Sequence, residues 1–289
     1  MKILSMFDGL SCGYEALIRA GIPVDEYVAY EINPNAIKVA LKNHPDIKEM
    51  GSVIGADFTQ YKGFDIVMGG SPCQSWSMSG YQKGIEDPRG QLLYEFIRAL
   101  KEVQPKYFLL ENVATKQEFE DFISNVVGVK PIMINSELVS AQYRKRQYWT
   151  NIPNIIQPED KHIYLRDICL DASEVPENCW YTREFLYNGD DRKVQATILG
   201  PGFLRSTREV YNLNGKCNTL LCDGDGGNRV KKVYQNGRCR KLLPIEYERL
   251  QTLPDNYTDC ICNSQRLSRI GDGWTVDVIA HIFSFIEDR

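Results

Sequence analysis

The strongest constraint on the fold is an alternation of short apolar runs with helical patterns over residues 2–150. The apolar runs predict buried strands at residues 2–7, 26–30, 64–68 and 107–110. The helical patterns predict helices at residues 14–20, 36–43, 92–103 and 116–127. Strands that alternate with helices in this way form doubly wound, mostly parallel α/β sheets, which bind ligands at the carboxyl ends of their strands. The sequence therefore predicts an α/β domain with its functional site at that edge.

The pattern changes after about residue 155. Residues 156–237 contain few long periodic segments and several turn-forming pairs, such as Asn188-Gly189 and Asn236-Gly237. Helical patterns return at residues 244–250 and 276–286. We therefore expect three parts, namely a sheet domain at 1–155, a small loop-rich module at 156–237, and a C-terminal segment at 238–289 that returns to the first domain.

Composition and charge narrow the class of protein. The nine cysteines are irregularly spaced, which favours a reducing compartment over disulfide bonding, and no cysteine–histidine pattern predicts a zinc site. No apolar stretch is long enough to cross a bilayer, and an acid at position 8 comes too early for a signal peptide. The net charge is −4, yet residues 228–250 hold seven basic side chains against two acidic ones. This local excess fits either a solvated surface or a phosphate-binding patch.

The sharpest local feature is the loop Gly69-Gly70-Ser71-Pro72-Cys73-Gln74, which follows a predicted strand. Its glycines and proline place Cys73 in a shaped turn at the carboxyl end of that strand. A free thiol is only roughly a few per cent thiolate near neutral pH, yet it is already strongly nucleophilic. We therefore interpret Cys73 as a candidate nucleophile, with a buried packing cysteine as the alternative.

Polar side chains also follow the next predicted strand. Glu111 lies at the mouth of the same sheet, where it can hydrogen-bond a substrate or, alternatively, cap the following helix. Its neighbour Asn112 can hold the cysteine loop. Further along, Gln142, Arg144 and Arg146 share one face of an extended segment. Their amide and guanidinium groups suit a carbonyl, a carboxylate or a phosphate.

The first strand–helix loop has the features of a nucleoside site. Gly9 lets a ligand approach the backbone. Glu31, 22 residues further on, stands at the end of the second predicted strand, where α/β domains hold ribose hydroxyls. Asp57 can contact an adenine edge or, equally well, cap a turn. The loop lacks the G-x-G-x-x-G pattern that binds a pyrophosphate.

Six motifs occur in a fixed order along the chain. They are Phe7-x-Gly9, Pro72-Cys73-Gln74, Glu111-Asn112-Val113, Gln142-x-Arg144-x-Arg146, the stretch from Arg240-Lys241-Leu242-Leu243-Pro244 to Arg249-Leu250-Gln251, and Gly271-Asp272-Gly273-Trp274-Thr275-Val276. With these motifs the chain resembles the cytosine-5 DNA methyltransferase family from end to end. The last motif departs from the usual Gly-Asn-x-Val and looks closer to the vertebrate de novo DNA methyltransferases, although the compact chain suits a bacterial or phage enzyme.

The resemblance implies a class I, Rossmann-like methyltransferase fold, S-adenosylmethionine as cofactor, and double-stranded DNA as partner, with residues 156–237 as the target-recognition region. It implies that Cys73 attacks carbon 6 of a flipped cytosine, which prepares carbon 5 for a methyl group. Glu111 would contact the ring nitrogen, and Arg146, supported by Arg144, the base carbonyl. The implied cofactor site comprises Phe7, Asp8, Gly9, Leu10, Glu31, Ile32, Asp57, Phe58 and Trp274. The predicted substrate-binding residues are Ser71, Pro72, Gln74, Asn112, Gln142, Arg229, Lys231 and Arg240.

Two other functions stay open. A tRNA cytosine-5 methyltransferase shares the scaffold, but the Cys-Phe-Thr tripeptide of that branch is missing from the recognition region of this sequence. A catalytically silent DNA-binding homologue usually lacks the nucleophile or the carboxylate, and this sequence has both. We expect no metal, and a location in the cytoplasm of a bacterial or phage-infected cell or in a eukaryotic nucleus. The sequence is compatible with a monomer or an oligomer and does not specify the target site.

Overall fold

The computed structural model describes residues 1–71, 92–114, 116–200, 207–222 and 229–287. Its contacts divide the chain into two compact units. Unit 1 comprises Met1–Asn135, Lys145–Gln157 and Val276–Arg289, and unit 2 comprises Ser136–Arg144 and Pro158–Thr275. Within the described ranges, no helix is both long and apolar enough to cross a membrane. In the same ranges, no group of three or more His, Cys, Asp or Glu side chains is arranged to hold a metal ion.

Strands and helices are numbered along the chain. The strands are β1 (Lys2–Met6), β2 (Glu26–Tyr30), β3 (Lys48–Glu49), β4 (Ile66–Gly70), β5 (Tyr107–Val113), β6 (Ile132–Asn135), β7 (Gln142–Tyr143), β8 (Lys145–Thr150), β9 (Phe185–Tyr187), β10 (Val194–Ile198), β11 (Glu209–Asn212), β12 (Cys217–Asn218), β13 (Lys232–Gln235) and β14 (Arg238–Lys241). The helices are α1 (Cys12–Arg19), α2 (Pro34–Asn43), α3 (Leu92–Val103), α4 (Gln117–Val127), α5 (Leu165–Ile168), α6 (Pro244–Leu250), α7 (Asn263–Asp272) and α8 (Val276–Phe283).

The described part of unit 1 is built on a seven-stranded sheet of order β3-β2-β1-β4-β5-β8-β6. The strands from β3 to β5 in that order are parallel, whereas β8 runs antiparallel to both β5 and β6. Ile3, Leu4 and Met6 of β1 are all fully buried. Consecutive buried side chains point to opposite faces, so both faces of β1 are covered, as in a central parallel strand. The predicted doubly wound, mostly parallel α/β fold is confirmed.

Local sequence signals account for several helix bounds. The Asn33 side chain accepts hydrogen bonds from the backbone N–H groups of Asn35 and Ala36, and Pro34 occupies the first turn of α2, where its missing N–H is not needed. This cap confirms the predicted start. Helices α3 and α6 have the predicted bounds, and α8 ends at Phe283 instead of residue 286.

Two strands and one helix lack a clear signal in the sequence. Strand β6 has only four residues, and β8 begins with the polar run Lys145-Arg146-Gln147, so neither shows the long apolar run of a central parallel strand. Helix α7 buries only Ile270 and Gly271 among its ten residues. Too few apolar positions recur for a helical period to stand out from the neighbouring turns.

Unit 2 contains the region expected to form the loop-rich module. Its described strands form a five-stranded sheet of order β14-β13-β11-β10-β9, and β12 pairs with β7 in a separate ladder. A small core forms around the buried side chains of Ala196, Ile198 and Val210. The chain returns to unit 1 at Val276 and not at residue 238 as expected, because β14 pairs with β13 and α6 contacts α7 inside unit 2.

A buried ion pair holds β14 to α6. Two guanidinium nitrogens of Arg240 donate to the two oxygens of Glu246 at 2.9 and 2.7 Å, and neither side chain is exposed. Glu246 also accepts from the backbone N–H groups of Leu170 and Leu243. Such a bidentate pair is strong because both charges are hydrogen-bonded. The prediction that Arg240 binds substrate is wrong, because its guanidinium is enclosed with its partner.

Arg240→Gln should lower the free energy of unfolding by about 3–5 kcal/mol, because it leaves the Glu246 carboxylate buried without its counter-charge. Arg238→Gln is the matched control on the same strand: its pair with Glu177 is exposed, and exposed pairs contribute about 0–1 kcal/mol. Urea unfolding followed by circular dichroism measures both variants. An equal, small loss in the two would contradict the structural role of Arg240.

Candidate active site

The carboxyl ends of β4 and β5 bring two predicted catalytic elements together in unit 1. Glu111 of β5 is the register partner of Gly70, so the cysteine loop starts directly beside it. Arg146 comes from the antiparallel strand β8, and its Nε lies 2.9 Å from Glu111 Oε1. Glu111 is only 8% exposed. The structure therefore places a shielded carboxylate against a guanidinium, an arrangement that can bind a polar heterocycle through acceptor and donor groups.

Asn112 holds the start of the cysteine loop. Its side-chain nitrogen donates to Ser71 Oγ at 3.2 Å, and both residues are buried. Gly69 lies so close to β1 that a Cβ there would stand 2.7 Å from the Met6 carbonyl oxygen, which explains the glycine. The next three predicted site residues lie outside the described part of the chain, and their roles stay predictions: Pro72, Cys73 and Gln74.

Glu31, which follows β2, fastens the loop after β1. Its Oε2 accepts from the Gly9 N–H at 2.9 Å, and its Oε1 accepts from the N–H groups of Ile32 and Asn33 at 2.8 and 2.7 Å. Gly9 has a φ of +61°, a left-handed conformation that glycine adopts without strain. A carboxylate offers about four acceptor positions. The three described bonds therefore leave room for a ribose hydroxyl.

The carboxyl group of Asp8 is held inside the same loop. It accepts hydrogen bonds from the hydroxyls of Ser5 at 2.5 Å and Tyr27 at 2.6 Å, and from Ser11 as well. Burial raises the pKa of Asp8, and the three hydroxyl bonds oppose that rise. Because Ser5 lies on β1, Tyr27 on β2 and Ser11 in the loop, the Asp8 carboxyl group joins the loop to both strands.

Exposed apolar surface lies next to Glu31. Ile32 is 75% exposed, and Phe7, at the end of β1, is half-buried with a φ of +56°. An apolar side chain beside a carboxylate suits a nucleoside, because the base needs an apolar contact and the ribose needs an acceptor. The residues present therefore fit the nucleoside end of S-adenosylmethionine.

Three other predicted cofactor residues have different surroundings. Asp57 is exposed, and its carboxylate accepts from the N–H and the hydroxyl of Thr59 at 3.0 and 2.6 Å, so it caps the turn that was the alternative interpretation. Leu10 is 1% exposed and Phe58 is 0% exposed. Both side chains are packed in the core of unit 1, and the assignment of these two residues to the cofactor site stays a prediction.

Gln142 and Arg144 are enclosed within unit 2, at 0% and 3% exposure. Gln142 donates to the Leu250 carbonyl oxygen at 2.6 Å. Arg144 donates to three backbone carbonyl oxygens, those of Leu220, Gly271 and Gly273, at 3.2, 3.2 and 2.9 Å. The described bonds of both side chains tie backbone segments of unit 2 together, so Gln142 has no described contact that would present it to a substrate, and the supporting role of Arg144 stays a prediction.

Gln251, the last residue of the motif that begins at Arg240, is a buried hub to which the sequence assigned no role. Its side-chain nitrogen donates to the carbonyl oxygens of Ile270 and Gly273, both at 2.9 Å, and its Oε1 accepts from the Thr275 hydroxyl at 2.8 Å. These three partners lie within residues 270–275, which overlap the motif that begins at Gly271. Membership of a motif was the signal that the sequence offered for Gln251. Trp274 is half-buried in the same part of unit 2, and its contact with a cofactor stays a prediction.

The basic residues at the start of β13 differ in exposure. Arg229 is exposed and Lys231 is half-buried, so both stay candidates for a phosphate contact. Lys232 is 1% exposed and donates to the carbonyl oxygens of Thr207 and Val230, both at 2.8 Å. Burial lowers the pKa of Lys232 to about 7. This lysine therefore belongs to the interior of unit 2.

Glu49, at the end of β3, is a half-buried acid that the sequence did not single out, and both of its carboxyl oxygens are buried. Neither carboxyl oxygen has a hydrogen-bond partner among the described residues. Burial raises the pKa of Glu49 to about 8, and the nearby carboxylates of Asp8 and Glu31 add to the rise. A two-residue strand carries no periodicity, so its sequence gave no reason to expect a buried side chain.

Solved structures of similar fold identify the fold class to which this chain belongs. The fold is similar to that of the Entamoeba histolytica methyltransferase EhMeth, with a TM-score of 0.75 at 16% identity over 100% of this chain and 98% of the other. It is also similar to the S. pombe Dnmt2 methyltransferase, with a TM-score of 0.69 at 16% identity over 98% and 97% of the two chains. At these identities the likeness concerns the fold alone, which is that of a class I methyltransferase.

The chain belongs to the C-5 cytosine-specific DNA methylase family, whose model matches residues 1–288. The type II methyltransferase M.HhaI of Haemophilus parahaemolyticus is 28% identical over 316 residues, covering 98% of this chain and 93% of that protein. The orphan methyltransferase M.Rho11sI of Bacillus phage rho11s is 40% identical over 115 residues, covering 39% of this chain and 23% of the phage protein. The match thus spans about a quarter of the phage relatives' length but nearly all of M.HhaI. The family resemblance predicted from the motifs is confirmed.

Glu49→Gln should stabilise the protein increasingly as pH rises. Because the folded-state pKa of Glu49 is raised to about 8 from 4.5, the folded protein holds this proton more tightly, and stability falls as pH rises between those values. The difference between variant and wild type should therefore shift in favour of the variant by about 2 kcal/mol from pH 5 to pH 8. Glu26→Gln on β2 is the control of opposite sign, since hydrogen bonds from Lys48 and Lys2 lower the pKa of Glu26. A pH-independent difference for Glu49→Gln in urea unfolding would contradict the assignment.

Proposed function

We propose that this protein is a DNA (cytosine-5-)-methyltransferase that flips a cytosine out of duplex DNA and methylates its carbon 5 through a covalent adduct with Cys73. The observation that carries the proposal is the Glu111–Arg146 pair, 2.9 Å apart, beside the first residues of the cysteine loop. The Arg146 guanidinium can donate to the carbonyl oxygen of a cytosine, while the Glu111 carboxyl group can share a proton with the adjacent ring nitrogen and accept from the amino group.

The proposed steps use the chain's own residues. The target base must leave the duplex, because carbons 5 and 6 are stacked inside it. The Cys73 thiolate adds to carbon 6, Glu111 shares a proton with the ring nitrogen, and Arg146 donates to the base carbonyl. Charge that develops on the ring is thereby met by fixed groups. After carbon 5 has accepted the methyl group, loss of its proton to water and expulsion of the thiolate restore the aromatic ring.

S-adenosylmethionine, when bound, supplies the activated methyl group. Glu31 is proposed to hold the ribose, with Ile32 and Phe7 against the base, because these residues combine an available acceptor with exposed apolar surface. The Gly9 loop would receive the remainder of the cofactor through its backbone. Trp274 is proposed to complete the cofactor site, on the strength of the motif resemblance alone.

Target recognition is proposed for residues 156–237. The described strands of this region give a small sheet with long connections, and base contacts commonly come from such connections. Exposed Arg229 and half-buried Lys231 are the candidates for phosphate contacts. Affinity for DNA should therefore fall steeply with salt.

A substrate comparison tests the reaction itself. Methyl transfer from labelled S-adenosylmethionine is measured with duplex DNA and with tRNA side by side, and bisulfite sequencing of the DNA locates the product. We expect methylation of duplex DNA at carbon 5 of cytosine. If only tRNA is methylated, the protein is a tRNA methyltransferase and the proposal of DNA as substrate is wrong. If neither is methylated, the result favours a catalytically silent DNA-binding homologue.

Glu111→Gln should lower kcat by about 100-fold or more, because the amide cannot share a proton with the ring nitrogen. Glu95→Gln is the matched control, since Glu95 also pairs with an arginine in unit 1, at 2.6 Å, but lies on α3 and is not among the predicted site residues. Cys73→Ser should abolish methyl transfer and leave S-adenosylmethionine binding by calorimetry largely intact. Wild-type turnover in Glu111→Gln or Cys73→Ser would refute the assigned role of that residue.

A further inference from the structure

One acid of helix α3 fastens the turn that begins at Asp57. We call residues 57–61 the Asp57 turn. Glu102 lies on α3, and its Oε2 accepts a hydrogen bond from the backbone N–H of Phe58 at 3.1 Å. The two residues are 44 positions apart in the chain, so the tertiary structure alone brings them together. Because a peptide group is planar, this bond constrains the plane that starts at the Cα of Asp57.

Arg98 holds Glu102 in place. The Nη1 of Arg98 lies 3.0 Å from each carboxyl oxygen of Glu102. The guanidinium carbon lies 4.4 Å from the centroid of the Phe58 ring, within the range of a cation–π contact. Hydrogen bonds between charged groups are stronger than those between neutral ones. The side chain that fastens the Asp57 turn is therefore itself fixed, by a cation that also covers a residue of that turn.

The Asp57 turn is also joined to the end of β2. The Phe58 ring packs edge-on against Tyr30, with 5.4 Å between the ring centroids. The Tyr30 hydroxyl lies 3.2 Å from the Tyr61 hydroxyl. Tyr30 directly precedes Glu31, the proposed ribose acceptor. A nucleoside whose ribose is bound at Glu31 therefore has the Asp57 turn as a neighbour, because both belong to one packed part of unit 1.

One oxygen of Asp57 stays available for a ligand. Both described bonds to its carboxylate come from Thr59 and end on Oδ1, so Oδ2 has no described donor. The bonds from Thr59 lower the pKa of Asp57, which keeps the group in its acceptor form. The side chain is exposed. Adenine carries an exocyclic amino group, a donor that matches such an acceptor.

We infer that Glu102 is a positioning residue for base recognition in the cofactor site: it orients the Asp57 turn so that Asp57 accepts from the amino group of adenine while Glu31 accepts from the ribose. The inference rests on the proposed function, because it takes S-adenosylmethionine as the cofactor. Glu102 belongs to none of the six motifs and was not among the predicted site residues.

Glu95 provides a matched control on the same helix. It pairs with the same arginine at 2.6 Å, and its side chain is 25% exposed, close to the 26% of Glu102. Its described hydrogen bonds come from Arg98 and not from the Asp57 turn. Replacing either acid by alanine therefore removes one carboxylate from Arg98, but only Glu102→Ala releases the Phe58 N–H.

Calorimetric titration of the full chain with two ligands tests the inference. The ligands are S-adenosylhomocysteine and its inosine analogue, in which a carbonyl oxygen replaces the amino group of adenine. Wild-type protein should bind the adenine compound more tightly, because the analogue would place an acceptor against the Asp57 carboxylate. Glu102→Ala should weaken binding of the adenine compound about tenfold and that of the analogue much less, so that the preference is lost. Glu95→Ala should keep the preference.

A second variant and turnover measurements separate positioning from a loss of stability. In Glu102→Gln the amide nitrogen would face the Arg98 guanidinium, donor against donor, so the same loss of preference is expected to a smaller extent. In Glu102→Ala the KM for S-adenosylmethionine should rise while kcat at saturating cofactor stays near the wild-type value, because Glu111 and Arg146 are unchanged.

Equal weakening of both ligands in Glu102→Ala would overturn the inference, because it would indicate a general loosening of the site. Wild-type affinities in both Glu102 variants, a wild-type protein without preference, or an equal loss of preference in Glu95→Ala would overturn it as well. Each of these results leaves the proposed function intact. If wild-type protein binds neither ligand and transfers no methyl group from S-adenosylmethionine, the proposed function itself fails, and this inference fails with it.

Discussion

The register between β4 and β5 is the constraint on which the candidate site depends. Gly70 pairs with Glu111, so the chain leaves β4 beside the carboxylate of β5. Close packing protects this register, because Gly69 lies against the Met6 carbonyl with no space for a side chain. A slip of one residue would turn Glu111 to the opposite face of the sheet. The chemistry at the edge is thus a consequence of packing in the core.

Two arginines of one motif serve different purposes. Arg146 pairs with the Glu111 carboxylate in unit 1, whereas Arg144 spreads its donors over backbone carbonyls in unit 2. A guanidinium has five N–H donors in a planar fork, so the same residue type suits either a carboxylate or several carbonyls. Arg144 therefore positions backbone in unit 2, and Arg146 positions the carboxylate at the strand ends of unit 1.

Three carboxyl groups near the first strand–helix loop differ in their hydrogen-bond partners. Glu31 accepts from backbone N–H groups, and Asp8 accepts from hydroxyls. Glu49 has no described partner, and its pKa rises to about 8. Glu31 fastens the loop and keeps room for one more donor, whereas Asp8 joins the loop to β1 and β2. Glu49 is held toward its neutral form, because burial and the neighbouring carboxylates of Asp8 and Glu31 disfavour its charge.

The sequence by itself determined the elements whose signals are local. The apolar residues of β1, the Asn33-Pro34 cap of α2 and the ordered motifs each depend on neighbours in the chain, and the predicted α/β fold and family were confirmed. Only the tertiary structure decided which polar side chains are buried. Arg144 donates to a carbonyl 127 positions away, and Arg240 is enclosed with Glu246 while Arg229 is exposed. Residue type does not reveal such differences, because the burial of a charge depends on whether distant segments supply partners that offset its desolvation.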